Sequence, residues 1–193
     1  MTDISASERA QLDALSGFLR ARNALNLEIT LLIGRPASTG NLGEFIAARI
    51  FDIHLAASGV NPGNDGVFAS GPLAGRSVNV KMYSGDDALL DVGAHAADYY
   101  LVLRGPRAGS TKGPSTLPFR IDAVYLFEMI ALGQGLIDSG VKVGIATSVR
   151  RAIWDLAQVY PVTGRTPPMT LTPQQIDLTA LQRGRLIHGS RVR

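Results

Sequence analysis

The first third of the chain places apolar residues at helical spacing. In "ERAQLDALSGFLRARNAL", Leu12, Leu15, Leu19 and Arg22 fall on one face behind Ser7 as an N-cap, which predicts an opening amphipathic helix. "LEITLLIG" fits a strand or a helix by period alone. It follows Asn23 with no turn residue before Gly34, which favours a second helix. After the break "GRPASTG", the segment "NLGEFIAARIFDI" resumes the helical stripe with Leu42, Phe45, Ile46, Ile50 and Ile53. Strand signals then take over. "DGVFAS" and "SVNVKMYS" read as a hairpin across the turn "GPLAG", and "DYYLVLRG" as a third strand. "IDAVYLFEMIAL" reads as a further strand and "SVRRAIWDLAQVY" as a late helix aligning Ile153, Ala157 and Tyr160. A proline-rich loop precedes a last short helix in "PQQIDLTALQRGRLI".

Composition narrows this picture. With 193 residues and 46% hydrophobic side chains, the chain suits one domain: N-terminal helices over 1–36, a core over 37–160 and a basic extension over 161–193. No apolar stretch is long enough to span a bilayer, so no membrane partner is expected. The start lacks the basic and apolar regions of a secretory signal and cysteine is absent, so a cytoplasmic protein held by its core is expected. Charge is uneven. Residues 1–141 carry 11 basic and 14 acidic side chains, net −3, while residues 142–193 carry 8 and 2, net +6. That basic end fits either phosphate binding or a solvated tail.

Several motifs fail on spacing. In "GPRAGSTKG" Lys112 is followed by Gly113, so the phosphate-loop Lys-Ser/Thr pair is missing, and in "GQGLIDSG" Asp138 occupies the third dinucleotide glycine position. His54, His95 and His188 lie far apart in sequence, without zinc-site pairing.

One constellation remains. Strict alternation in "SVNVKMY" sends Val78, Val80 and Met82 to one face and Asn79 and Lys81 to the other. The hairpin brings Asp65 toward Lys81, as a plain cross-strand ion pair or as part of a site. Glu44 lies on a helix that is small or apolar nearly all round; it serves either a capping box with Asn41 or the same site. The four polar side chains are expected to converge at one end of a mixed sheet. Separately, Ser148, Arg150 and Arg151 at a helix start form either an anion site or an exposed, harmless group.

"GEFIAARIFDIHLAASGVNPGNDGVF" followed by "VNVKMY" resembles the core of the PD-(D/E)XK, restriction-endonuclease-like superfamily, over roughly residues 40 to 105. The resemblance implies an α/β fold with a mixed β-sheet core flanked by helices. It also implies a nuclease dependent on Mg²⁺ or Mn²⁺, with nucleic acid, DNA first, as partner and a homodimer as an allowed assembly. Glu44 matches the acidic residue of the first core helix, Asp65 the metal-binding aspartate and Lys81 the lysine of the final tripeptide. Asn79 stands where the family usually has Glu or Asp, and a neutral amide oxygen is a weaker ligand for a hard cation. The implied metal ligands are Asp65, Asn79, the Val80 carbonyl and, through water, Glu44; Lys81 would act on the attacking water. Two further readings stay open: a non-catalytic nucleic-acid-binding or protein-interaction module on the same fold, and a small-molecule-binding α/β protein.

Overall fold

The computed structural model describes residues 5–57, 63–83, 85, 89–93, 97–106, 119–144, 146–163 and 166–183. The loop with Lys112, together with His95 and His188, lies outside these residues. The chain divides into two compact units, Met1–Leu42 and Gly43–Arg193, where the sequence suggested one domain.

The first unit is dominated by α1 (Ala6–Ile33). Ser5, not Ser7, starts it, because Ser5 and Glu8 form a capping box: the Glu8 amide donates to Ser5 Oγ (3.3 Å) and the Ser5 amide to Glu8 Oε2 (2.8 Å). The two expected helices are one, since nothing between them breaks the hydrogen-bond ladder. Gly34 ends it in the left-handed region (φ 71°), its amide bonded to the Thr30 carbonyl. No residue of α1 is buried. Helix α2 (Thr39–Phe51) begins behind Ser38, whose Oγ accepts from the Asn41 amide at 3.2 Å.

The second unit is built on a six-stranded mixed sheet whose strands lie in the order Ile53–Leu55, Gly66–Phe68, Ser77–Tyr83, Tyr99–Arg104, Ala123–Glu128 and Gln158–Tyr160. Asp52 (φ 53°) turns the chain out of α2 into β1 (Ile53–Leu55), so Ile53, expected to extend the helical stripe, is the first strand residue. β1 pairs antiparallel with β2 (Gly66–Phe68), and β2 with β3 (Ser77–Tyr83) across the single 3₁₀ turn Gly71–Leu73. Gly66 is required at the β1–β2 contact, because a Cβ there would collide with the His54 carbonyl oxygen. A two-residue β4 (Leu89–Leu90) follows, and then β5 (Tyr99–Arg104) lies parallel to β3.

The long apolar run after Asp122 changes element midway: β6 (Ala123–Glu128) gives way to α3 (Met129–Asp138), which absorbs most of "GQGLIDSG". β7 (Thr147–Ser148) pairs with β4 as a separate ribbon. The expected late helix is likewise split into α4 (Arg151–Ala157) and β8 (Gln158–Tyr160), the latter pairing with β6. Helix α5 (Pro173–Gln182) ends the described chain behind a Thr172–Gln175 capping box. None of the helices is long and apolar enough to cross a membrane among the described residues.

Side-chain alternation sorts the core into two clusters, one on each face of the sheet. Val78, Val80, Leu101 and Leu103 pack with Ala47, Ile50 and Phe51 of α2 and with Ile176 of α5. Tyr100, Val102, Tyr125 and Phe127 pack with Leu132 and Leu136 of α3 and Trp154 of α4. Trp154 meets Tyr125 and Phe127 edge-on, with centroids 4.8 and 4.9 Å away, and the Arg104 guanidinium lies 4.3 Å from its ring. β5 is therefore covered on both faces, which is why "YYLVLR" is a nearly unbroken apolar run.

Candidate functional site

Asp65 stands just before β2, and the backbone fixes it there. Its amide donates to the Val78 carbonyl (3.0 Å), its carbonyl accepts from the Ala56 amide (2.9 Å), and the next amide, Gly66, is turned by Asn64 Oδ1 (3.0 Å). Its carboxylate Oδ2 accepts from the Val80 amide at 2.7 Å. Asp65 thus grips β3 at the two residues flanking Asn79. The register Gly66↔Val78 and Val67↔Ser77, extended one step, sets Asp65 across from Asn79. Because a strand residue's N–H and C=O point to the same edge, the Val80 carbonyl also points toward the Asp65 side.

Asn79 is the third residue of β3, with Tyr100 of β5 as its other neighbour. The face it shares with Lys81 is covered by the Tyr100–Trp154 cluster rather than open to water, because α3 and α4 pack there. Asn79 is 4% exposed, and its Oδ1 is a buried oxygen with no hydrogen-bond partner among the described residues. Leaving such an oxygen unsatisfied costs roughly 1–3 kcal/mol.

Lys81 is half-buried on the same face, its Nζ 5.6 Å from the centroid of the Tyr100 ring. That ring is anchored at its far end, where the Tyr100 hydroxyl accepts from the Gly93 amide at 3.1 Å. Tyr100 escaped the sequence reading, which saw only an apolar strand; its place beside Asn79 depends on the parallel β3–β5 pairing. Pairing Asn79 directly across from an aromatic residue requires knowing which distant strand lies next to β3.

Glu44 arrives differently. Gly43 sits so close to β3 that a Cβ would lie 2.6 Å from the Met82 Cβ, and Glu44 follows directly, half-buried on the flank of α2. The capping role with Asn41 is lost, since Ser38 is the N-cap and Glu44 lies beyond the first turn. α2 packs on the Val78–Val80 face. Asn79 and Lys81 therefore share the opposite face, Asp65 grips the β3 backbone between them, and Glu44 belongs to the α2 layer. Among the described residues, no three His, Cys, Asp or Glu side chains gather into a metal cluster, so a cation here would rest largely on neutral oxygens.

The arginine group is rearranged. Ser148 is an exposed residue of β7, Arg150 is the extended N-cap of α4, and Arg151 alone lies in its first turn. The Arg151 Nε bonds to Asp155 Oδ1 at 2.9 Å, one turn along, so a side chain of the helix itself already offsets the charge–dipole conflict. Compared with protein-family models and with curated proteins, the chain matches none.

Proposed function

We propose that the protein is a divalent-cation-dependent nuclease of the restriction-endonuclease-like type, hydrolysing phosphodiester bonds of nucleic acid, with DNA the favoured substrate. The observation that carries this reading is the buried Asn79 Oδ1, which has no hydrogen-bond partner among the described residues and sits across from Asp65 on the face that Asn79 shares with Lys81. A native core rarely leaves such an oxygen without a water or an ion to meet it. The order of elements supports it too: an acidic residue on α2, an aspartate opening β2 and Asn79-Val80-Lys81 on β3 follow the order of the resemblance.

The donors present suit a hard cation: the Asp65 carboxylate, the Val80 carbonyl and the Asn79 amide oxygen. When bound, Mg²⁺ or Mn²⁺ would polarise a phosphoryl oxygen and acidify water. Lys81, braced on Tyr100, would donate to a non-bridging phosphate oxygen and offset the charge that builds there. Asp65 also holds β3 in register, so the tripeptide is presented in one fixed geometry.

One observation favours a non-catalytic nucleic-acid-binding or protein-interaction module: Asp65 already commits an oxygen to the Val80 amide, and Asn occupies the second ligand position. Thermal unfolding with and without Mn²⁺ separates the readings. Asn79→Asp adds a charged ligand, so its melting temperature should gain more from Mn²⁺ than the wild type does; saturation at a hundredfold over Kd corresponds to about 2.7 kcal/mol. Asp65→Asn keeps an acceptor for the Val80 amide but removes the charge, and should abolish the Mn²⁺ effect while remaining folded. Plasmid cleavage that requires Mn²⁺ and disappears in Lys81→Ala supports the enzyme. A Mn²⁺-insensitive melting temperature in both wild type and Asn79→Asp would leave the module as the function.

A further inference from the structure

We propose that α1 is a dimerisation helix, pairing two copies of this chain in antiparallel fashion along one apolar ribbon. The ribbon is Leu15, Phe18, Leu25, Ile29 and Leu32, with Arg22 between. Leu15 is 50% exposed, Phe18 73%, Leu25 65% and Leu32 75%, and the 28-residue helix buries no residue at all. Steps of three and four residues alternate along these positions, the spacing of helices that pack lengthwise on a partner. A helix with such a stripe is covered by something in the native protein.

Charge identifies what covers it. α1 carries Glu8, Asp13 and Glu28 against Arg9, Arg20 and Arg22, net zero, which matches neither an anionic bilayer nor a phosphate backbone. Arg22 has no acidic residue three or four positions away, and Glu28 has no basic one, so neither has a partner within the helix. Parallel pairing would bring Arg22 against its own copy. An antiparallel register with Leu15 level with Leu32, and Phe18 with Ile29, sets Arg22 level with Leu25. Glu28 of the second copy then lies three residues further on, about 4.5 Å along the axis. The two-fold axis repeats the contact, so the ribbon and its two charges complement themselves in one orientation.

The full chain should scatter light as a dimer at micromolar concentration. Arg22→Glu should raise the dissociation constant by about tenfold or more, and adding Glu28→Arg should restore it. The chain contains no cysteine, so orientation can be read by cross-linking. A mixture of Leu15→Cys and Leu32→Cys proteins should form an interchain disulfide far faster than Leu15→Cys alone. A monomeric wild type, a dimer indifferent to Arg22→Glu, or preferential self-linking of Leu15→Cys would overturn the proposal.

Discussion

Asp98 holds the starts of the two parallel strands together. Its Oδ2 accepts from the Ser77 amide (2.8 Å) and hydroxyl (2.7 Å), its own amide donates back to that hydroxyl (2.8 Å), and its Oδ1 meets Arg76 Nη2 at 2.9 Å. The Ser77 hydroxyl and amide, then Arg76, hold the Asp98 carboxyl below the usual aspartate range. A carboxyl whose folded pKa is depressed stabilises the fold above its unfolded value, about 3.9, and this contribution is lost as pH falls through the lower folded value. Asp98→Asn should therefore destabilise the protein by about 1 kcal/mol at pH 7, a modest figure because the side chain is 37% exposed, and by progressively less below pH 4. Urea unfolding at the two pH values checks this. A deficit that persists unchanged in acid would show that geometry, not charge, makes the clasp. Much at this scale was legible: period-two alternation put Asn79 and Lys81 on one face, and the short "GPLAG" turn brought Asp65 against the backbone of β3 at Val78 and Val80. The burial of the Asn79 oxygen and the Tyr100 brace were not, because both depend on what distant strands and helices lay over that face.

At the scale of elements, α2 reaches the sheet through a glycine. An Ala at position 43 would place its Cβ 2.6 Å from the Met82 Cβ, an atom near the backbone that cannot swing aside. Gly43→Ala should destabilise the fold by about 1–3 kcal/mol, despite alanine's better helix propensity. Met82→Ala does not remove that Cβ, so it should not rescue the variant, whereas Met82→Gly should recover part of the loss. A neutral Gly43→Ala in thermal unfolding would show that α2 can shift without cost. Long periodic elements were readable from the sequence, β3 and β5 among them, while α1 was read as two helices because "LEITLLIG" has no helical period of its own. The errors fell on short ones. Three-residue strands such as β1 and β8 carry too few alternations to stand apart from the helices they adjoin, and the apolar run across Glu128 hides the switch from β6 to α3.

At the scale of the whole molecule, the mixed α/β class was visible in the passage from helical spacing to alternation, while the division into two units was not. Nothing in composition marks a boundary at Leu42, since α2 carries the chain across it without a linker. Trp154 gives that division an optical consequence. It is the only tryptophan in the chain, 1% exposed and packed against Tyr125 and Phe127 in the second unit. Its fluorescence should be blue-shifted, reporting one layer of the sheet and remaining silent about α1. Circular dichroism, by contrast, draws heavily on α1, the longest helix described. On heating Arg22→Glu, the dichroism transition should move to lower temperature while the indole emission transition stays near its wild-type midpoint, a mismatch that two-state unfolding forbids. Coincident curves in both proteins would mean the two units melt as one. The same emission offers a label-free view of the sheet alone, with no dye to attach and no residue to replace.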